Sequence, residues 1–274
     1  MVRLGVRVRR EEAEVVLAEL LELAPGGVEE VELPGNLVEY AVYGAPGELP
    51  ALPALQAAAG GALVEVRSEE VAGDWSRRWR QFHRPLVIDD RLTVRPPWEP
   101  PGTTSIDLVI EPGQAFGTGA HATTRLCLEL MLELPAGGPF LDLGCGSGVL
   151  AIAAAKLGFS PVRGLDNDSV ALDVARDNAA ANRVEVELAR HDLREALPPQ
   201  APTVAANLLS PLLTAWASGL ERARDHRPER ILASGILVAE TDAVASAFAR
   251  AGLGEVRRAR HGDWTALLLG RPVP

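Results

Sequence analysis

Cysteines and long apolar runs are both scarce in this chain. Cys127 and Cys145 are its only cysteines, too few for a disulfide framework and too isolated for a zinc site. We therefore expect no metal centre and a reducing compartment. The first ten residues alternate between apolar and polar side chains, so we predict neither a signal peptide nor a membrane-spanning helix there. Together these absences predict a cytoplasmic protein that does not bind membranes.

The net charge of the chain limits the classes of partner that we expect it to bind. Its 274 residues are 47% hydrophobic and carry a net charge of −10, a globular composition long enough for about two domains. Residues 1–66 hold four Arg and eleven Glu, a net charge of −7. Phosphate contacts need Lys and Arg, so we do not expect direct nucleic-acid binding and favour a basic protein as partner. An acidic surface that only maintains solubility is the open alternative.

The first 67 residues contain a complete cycle of secondary structure. Apolar residues alternate at Val2, Leu4, Val6 and Val8, which is typical of a half-buried strand. The pattern then predicts a helix over residues 11–24, strands over 28–33 and 37–43, a weaker helix over 49–59 and a strand over 62–67. This order is the ferredoxin-like split arrangement. We predict a small α+β binding domain over residues 1–67.

Residues 68–102 are predicted to connect two domains. The segment holds Trp75, Trp79 and Phe82 among several arginines. Aromatic and basic residues in alternation can stack on single-stranded nucleic acid, but the aromatic spacing also suits one face of an amphipathic interdomain helix. We favour the helix because the rest of the chain is acidic. Four prolines between residues 96 and 101 mark the end of the connector.

Apolar runs and helical patterns alternate from residue 103 to residue 274. Strands are predicted over residues 140–143, 162–166, 184–188, 204–208 and 231–234. Helices are predicted over residues 149–157, 170–182, 212–223 and 238–251. This alternation predicts an α/β domain whose parallel sheet is covered on both faces. Two last strands, over 254–260 and 264–269, have no helix between them, so one of them should run antiparallel.

A glycine-rich turn follows the first of these strands. Gly144, Gly146 and Gly148 have the spacing G-x-G-x-G, and Asp142 stands two residues before the first glycine. Dinucleotide sites prefer G-x-G-x-x-G, because the helix that follows must meet a pyrophosphate. A carboxylate would repel pyrophosphate but suits a cation. The turn therefore favours S-adenosylmethionine (AdoMet), which carries an ammonium and a sulfonium; a tight turn that binds nothing is the alternative.

Three further polar residues end the following strands. Asp166 lies 22 residues after Gly144 and could accept both hydroxyl hydrogens of a ribose. Asp192 could accept from an adenine amine or cap a turn. Asn207 ends the fourth strand at the ligand edge of an open α/β sheet, where its amide could align an incoming amine; capping the next helix is the alternative. Upstream, His121 in a glycine-rich stretch is interpreted as structural.

Four stretches of the sequence resemble one known family. They are Phe116-Gly117-Thr118-Gly119-Ala120-His121-Ala122-Thr123-Thr124, the segment from Asp142 to Ala154, Gly164-Leu165-Asp166-Asn167-Asp168, and Ser234-Gly235-Ile236-Leu237. Together they resemble the ribosomal-protein methyltransferases of the PrmA type, which modify protein L-eleven (L11) of the large ribosomal subunit. The resemblance covers roughly residues 72–270, whereas the N-terminal module shares only the order of elements.

The resemblance implies a fold, a cofactor and a set of contacts. The fold would be a class I methyltransferase Rossmann-like sheet with a ferredoxin-like N-terminal domain that recognises the substrate protein. Thr124, Gly144, Asp166 and Asn207 match family positions that contact AdoMet, and Phe116 and Thr118 would lie close to it. With the residues argued above, the predicted cofactor set is Phe116, Thr118, Thr124, Asp142, Gly144, Gly146, Asp166 and Asn207, and Asn207 is the predicted catalytic residue.

The function that follows is methyl transfer from AdoMet to amines of L11, at lysine side chains, the α-amino group or both. A lysine amine has a pKa of about 10.4, and desolvation beside a positive sulfonium would lower that pKa, so no dedicated base is needed. Other interpretations stay open at this point. They are a methyltransferase acting on another basic protein or on RNA, a nicotinamide-dependent dehydrogenase, and an assembly factor that binds AdoMet without turnover.

Overall fold

A computed structural model describes residues 2–23, 28–44, 55–56, 59–70, 85–111, 121–199, 201–223 and 227–271. These residues form two compact units. The first contains the described residues up to residue 70, and the second those from residue 85 onward. Across the described ranges, no helix is both long and apolar enough to cross a membrane.

The first unit is a four-stranded antiparallel sheet with a helix. Its elements are β1 (Val2–Arg9), α1 (Ala13–Leu23), β2 (Glu29–Leu33), β3 (Leu37–Gly44) and β4 (Leu63–Glu70). The strands lie in the order β2-β3-β1-β4, so β1 lies between the strand that precedes and the strand that follows residues 45–62. This is the split arrangement predicted from the sequence. The predicted helix over residues 49–59 lies mostly outside the described residues.

The two faces of this sheet differ in chemistry. Leu4, Val6 and Val8 of β1 are buried in the apolar core of the unit. Arg3 and Arg7 lie on the opposite face, where each donates to the carboxylate of Glu39 at 2.5 Å. Burial of Glu39 raises its pKa, but the hydrogen bonds from the two arginines outweigh burial and hold the pKa below its usual range. The alternation along β1 therefore separates an apolar face from a paired, charged one.

The second unit begins with a small sheet of three strands. These are β5 (Leu86–Ile88), β6 (Leu92–Arg95) and β7 (Ile106–Val109), in the order β5-β6-β7. Arg95 donates to both carboxylate oxygens of Asp107, at 2.7 to 3.0 Å. Strands thus form in a segment that the sequence places in the interdomain connector. The connector's own bounds, 68–102, stay a prediction, since residues 71–84 lie outside the described chain.

A seven-stranded sheet forms the centre of the second unit. Its strands are β8 (Phe140–Leu143), β9 (Val162–Asp166), β10 (Glu187–Arg190), β11 (Thr203–Asn207), β12 (Arg230–Leu237), β13 (Gly254–His261) and β14 (Trp264–Gly270). They lie in the order β10-β9-β8-β11-β12-β14-β13. The pairs from β10 to β12 are parallel, and β14 is antiparallel to both of its neighbours. The predicted parallel sheet with one reversed strand is confirmed.

Helices cover both faces of this sheet. They are α2 (Ala122–Met131), α3 (Val149–Leu157), α4 (Ser169–Ala181), α5 (Ser210–Arg222) and α6 (Thr241–Arg250). Successive residues of β8 show the two faces, because Phe140 packs into one core cluster and Leu141 into the other. A parallel sheet buried on both sides needs such continuous apolar strands, and it leaves the carboxyl ends of β8, β9 and β11 together at one edge.

One predicted strand begins later than expected. The sequence predicts a strand over residues 184–188, but β10 covers Glu187–Arg190. Arg183 has a left-handed φ of 55°, and the amide of Val184 donates to the carbonyl of Ala179 at 3.2 Å. These features form the Schellman closure of α4. Val184 therefore ends the helix before the strand can start.

Candidate functional site

The glycine-rich turn joins β8 to α3 at the carboxyl edge of the sheet. Gly144, Gly146 and Gly148 have φ values of +74°, +50° and +79°, a region that favours glycine. The amides of Gly144 and Cys145 both donate to the carbonyl of Leu165, at 2.8 and 2.9 Å. The turn is thereby held against the end of β9.

Gly144 also lies close to the side chain of a neighbouring segment. A Cβ atom added at this position would lie 2.5 Å from Cδ2 of Leu208, well inside ordinary van der Waals contact. Leu208 directly follows β11, whose last residue is Asn207. The first glycine of the turn therefore sets how closely the segment after β11 approaches the turn.

Asp142 is a buried carboxylate beneath this turn. Its side chain is 1% exposed, and Oδ2 accepts from the amide of Ala151 at 3.0 Å. Its Oδ1 is buried and has no hydrogen-bond partner among the described residues. Burial raises the pKa of Asp142 to about 7; the Ala151 amide opposes the rise, and the charge of Asp166 adds to it.

Asp166 fastens the end of β9 to the same turn. Its Oδ2 accepts from the amide of Gly146 at 2.8 Å, and its Oδ1 accepts from the amide of Asp168 at 3.0 Å. A carboxylate offers about four lone-pair sites, so each oxygen can accept a further hydrogen bond. The contact with Gly146 fixes the orientation of the carboxylate at the edge of the sheet.

Asn207 and Thr124 contact each other at the carboxyl edge of the sheet. Asn207 ends β11, and its Nδ2 donates to Oγ1 of Thr124 at 3.4 Å. Thr124 lies in the first turn of α2 and is fully buried. The following helix, α5, has Leu209 as its N-cap and no side-chain cap. Asn207 therefore does not cap α5, which was the alternative interpretation of this residue.

His121 has a structural position, as interpreted from the sequence. It is the N-cap of α2, where its Nδ1 accepts from the amide of Thr123 at 3.3 Å. Its ring meets the edge of Trp264 with centroids 5.1 Å apart. Burial lowers the pKa of His121, which favours the neutral ring that a capping nitrogen requires.

Asp192 forms a local turn after β10. Its Oδ1 accepts from the amide of Arg194 at 2.9 Å and from Nε of the same residue at 3.1 Å. The Arg194 amide and side chain hold the pKa of Asp192 below its usual range. Asp192 thus caps a turn, as one of its two interpretations predicted. A contact with adenine stays a prediction.

The predicted site residues divide into two groups. Asp142, Gly144, Gly146, Asp166 and Asn207 all lie at or beside the carboxyl ends of β8, β9 and β11, as predicted from the order of elements. Thr124 reaches them from α2. Phe116 and Thr118, like the aromatic residues of the connector, lie outside the described residues, and their roles stay predictions. In the part of the chain that the structure describes, no group of three or more His, Cys, Asp or Glu residues could hold a metal ion.

Sequence reasoning missed the residues that hold Asn207 in place. Leu208 packs on Gly144, and its amide donates to the carbonyl of Ser234 at 3.0 Å. Gly235 has a φ of +82° and lies against the backbone of Leu208. Two signals were present in the sequence: Ser234 and Gly235 belong to one of the stretches that resemble the family, and a glycine just after an apolar run marks a bulge or a close backbone approach.

The strand order, the single reversed strand and the glycine turn after β8 define the class I AdoMet-dependent methyltransferase fold. The chain belongs to the family described as ribosomal protein L11 methyltransferase (PrmA), whose family model matches residues 53–272. This membership confirms the resemblance that the sequence stretches indicated.

Named relatives and a solved structure agree with this assignment. The chain is 44% identical over 197 residues to the ribosomal protein L11 methyltransferase of Geobacter metallireducens, covering 71% of this chain and 65% of that protein. It is 38% identical over 202 residues to the protein of the same name from Symbiobacterium thermophilum, covering 73% of this chain and 66% of that protein. The matches thus span just under two thirds of these relatives. The crystal structure of ribosomal protein L11 methylase from Lactobacillus delbrueckii subsp. bulgaricus matches with a TM-score of 0.59 and 26% identity, over 69% of this chain and 98% of that chain.

Proposed function

We propose that this chain transfers methyl groups from AdoMet to amines of ribosomal protein L11, at lysine side chains, the α-amino group or both. Family membership and the names of the relatives support the substrate. The observation that carries the proposal is the placement of Asp142, Asp166 and Asn207 around one glycine turn at the ligand edge of the sheet, where Asp166 contacts the turn itself and Asn207 reaches it through its neighbour Leu208. Another basic protein or RNA is the alternative acceptor.

The residues of the turn fit a cationic nucleoside. Asp142 places a buried carboxylate oxygen under the turn that has no hydrogen-bond partner among the described residues, and a buried oxygen of this kind is stabilised by a donor or a positive charge. Asp166 adds a second carboxylate that keeps lone pairs for ribose hydroxyls. Asp142 beside the glycine turn disfavours a pyrophosphate and therefore a nicotinamide dinucleotide, whereas Asp166 suits either ligand, because dinucleotide sites also use an acidic residue for the ribose. AdoMet satisfies both requirements, because it has a ribose, an ammonium and a sulfonium but no phosphate.

Each site residue then has a distinct role in holding the cofactor. Asp166 accepts from the ribose hydroxyls, Gly144 and Gly146 allow close approach of the backbone, and Asp142 stabilises positive charge from below the turn. Phe116, Thr118 and Thr124 complete the cofactor contacts in this proposal. AdoMet, when bound, supplies a methyl group already activated by the sulfonium. The main task of the protein is therefore to position the acceptor.

Asn207 is the residue that we assign to the acceptor amine. Its Nδ2 donates to Thr124, which leaves the amide carbonyl to accept a hydrogen bond from an amine. Transfer needs the neutral amine, and burial of the amine beside positive charge lowers the amine's pKa. Asn207 would then hold the nitrogen lone pair in line with the methyl group, without acting as a base.

The acidic first unit supports a basic protein as substrate. Residues 1–66 carry a net charge of −7, which attracts cationic surfaces and repels nucleic acid. In this proposal the first unit recognises L11, and the second performs the transfer. The setting would be the cytoplasm, without a membrane or direct nucleic-acid partner.

The test is the intact mass of unmethylated L11 after incubation with this chain and AdoMet. A mixture of other ribosomal proteins serves as the comparison, and Asp166→Ala as the inactive control. We expect a ladder of methyl additions confined to L11. A second arm treats the mixture with nuclease, which should leave the ladder unchanged.

Three results would change the assignment. Additions to other ribosomal proteins but not to L11 would keep the enzyme class and replace the substrate. No addition anywhere, with AdoMet binding measured by calorimetry, would leave a binding protein without turnover on these acceptors. Loss of the ladder on nuclease treatment would show that methylation of L11 requires RNA, and methyl groups recovered in the RNA fraction would move the acceptor to RNA.

A further inference from the structure

β12 contains a bulge beside the proposed acceptor site. Two residues of β12, Ser234 and Gly235, stand opposite the single residue Ala266 of β14. Ser234 is also the last residue of β12 that pairs with β11, where its partner is Asn207. Bulges bend a strand and re-aim neighbouring groups, and they are frequent next to active sites.

Gly235 lies in close contact with the backbone of the segment that carries Asn207. A Cβ atom at Gly235 would lie 2.5 Å from the carbonyl oxygen, 2.9 Å from the carbonyl carbon and 3.1 Å from the amide nitrogen of Leu208. These are backbone atoms, so a rotamer change cannot relieve the contact. Restoring normal spacing requires roughly 1 Å of backbone movement, and Leu208 is the residue next to Asn207.

Ser234 forms hydrogen bonds with the segment after β11 and with the first turn of α2. Its carbonyl accepts from the amide of Leu208 at 3.0 Å. Its hydroxyl donates to the carbonyl of Thr123 at 3.0 Å and is fully buried. Thr123 precedes Thr124, whose hydroxyl accepts from Asn207. One residue therefore holds the first turn of α2 and the end of β11 at a fixed separation.

We propose that the Ser234–Gly235 bulge is the positioning element that sets the amide of Asn207 for the acceptor amine. Ser234 fixes Thr124 through its neighbour, and Gly235 fixes Asn207 through Leu208. This inference rests on the proposed role of Asn207 and adds to it two positioning residues. Neither residue needs to touch the substrate or the cofactor.

The first variant is Gly235→Ala, and its matched control is Gly138→Ala. Gly138 has a similar φ of +73°, but a Cβ there would meet nothing within 4 Å, and it precedes β8 at the other end of the strands. Both variants therefore share the strain of alanine at positive φ, and only Gly235→Ala adds the contact with Leu208. A cooperative thermal unfolding transition in each variant would show that it folds.

The direct readout is the side-chain amide signal of Asn207 in isotope-labelled protein, assigned by its loss in Asn207→Ala. We expect Gly235→Ala to shift this signal and Gly138→Ala to leave it in place. This comparison needs no substrate, so it decides the positioning role even if L11 is not methylated. An unshifted Asn207 signal in a folded Gly235→Ala protein would overturn the proposal.

The kinetic readout separates positioning from general stability. Misplacement of a reacting group by about 1 Å can cost roughly a hundredfold in rate, so Gly235→Ala should lower kcat by about that factor while the Kd for AdoMet changes little. In an Asn207→Ala background, Gly235→Ala should cause no further loss, because residues that act through one group are not additive. A loss of kcat in the double variant equal to the product of the losses in the two single variants would contradict the proposal. Full activity of Asn207→Ala alone would instead refute the role of Asn207 in the proposed function.

Ser234→Ala provides a second variant if Gly235→Ala does not fold. It removes the hydroxyl that donates to Thr123 and that also hydrogen-bonds the thiol of Cys127. Its control, Thr203→Val, removes a buried hydroxyl of β11 that has no hydrogen-bond partner among the described residues. We expect Ser234→Ala to shift the Asn207 signal and lower kcat, and Thr203→Val to do neither. Equal behaviour of the two variants would overturn the role of Ser234.

Discussion

Asp142 shows how one buried residue couples the site to pH. Its pKa rises from about 4 in an unfolded chain to about 7 in the folded protein, mainly because burial disfavours the charged form. Between these values the folded protein holds a proton that the unfolded chain has lost. The contribution of Asp142 to stability is therefore fully present below the unfolded pKa and is lost as pH rises through the folded pKa.

Asp142→Asn should remove this pH dependence, since an amide does not titrate. We expect the free energy of unfolding of the wild type, minus that of the variant, to fall as pH rises from about 4 to about 7 and to level off above. Urea unfolding of both proteins across this range measures the difference. A difference that is constant with pH would show that folding does not raise the pKa of Asp142.

Asp166→Ala should abolish AdoMet binding in calorimetry. The change removes the proposed ribose acceptor and also the two hydrogen bonds that hold Gly146 and Asp168. Asp168→Ala is the matched control, because Asp168 is a neighbouring carboxylate that caps α4 by accepting from Val170. That control should lose about 1 kcal/mol of stability and keep binding. Unchanged AdoMet affinity in Asp166→Ala would refute the site assignment.

At the scale of elements, α5 and α6 stabilise one face of the sheet through a shared aromatic contact. Trp216 of α5 and Phe248 of α6 meet edge to face with ring centroids 5.6 Å apart. Both side chains are buried, at 2% and 0% exposure. This contact joins α5, which starts three residues after Asn207, to α6. The position of α5 beside the site therefore depends also on the packing between these two helices.

Trp216→Ala should destabilise the second unit by about 3–5 kcal/mol, as large-to-small core changes do. Trp216→Phe should cost less, because it keeps most of the ring and removes an indole N–H that has no partner among the described residues. Val256→Ala, at a side chain that is 66% exposed, is the surface control. Denaturant unfolding measures all three. A loss below about 1 kcal/mol for Trp216→Ala would contradict the packing argument.

At the scale of the whole molecule, the distribution of charge favours a basic partner. The net charge is −10, and residues 1–66 supply −7 of it. Two of the four arginines in that segment, Arg3 and Arg7, are bonded to Glu39. Their positive charge is held close to a carboxylate, so it adds little attraction for anions. The field of this segment should therefore steer cationic proteins and repel phosphates.

Salt should weaken recognition of the protein substrate and not of the cofactor. Raising ionic strength from about 0.1 M to about 1 M shortens the Debye length from about 10 Å to about 3 Å. We expect the KM for L11 to rise across this range and the KM for AdoMet, a small ligand for which the first unit has no proposed role, to stay nearly constant. Initial rates at several salt concentrations test this. A KM for L11 that does not change with salt concentration would exclude charge as the basis for recognition of L11.

Much of the fold could be predicted because its signals are local. The bounds of β8, β9 and α3 match the sequence prediction, since apolar runs there end at glycine or aspartate. The strand near residue 184 was misplaced because Val184 is apolar, like a strand residue, but closes a helix instead. The three strands over residues 86–109 were missed, because prolines and short runs hid a small sheet that is stabilised by the distant core.

The sequence by itself determined the order of elements, the reversed strand, and the chemistry offered by Asp142, Gly144 and Asp166. Periodicity and glycine spacing act over a few residues, so these features can be recognised without a fold. Only the tertiary structure decided that Asn207 meets Thr124, 83 residues away, and that Leu208 lies between Gly144 and Gly235. Such contacts depend on the packing of β8, β11 and β12 side by side, which leaves no room for an extra carbon atom at Gly235 beside the backbone of Leu208.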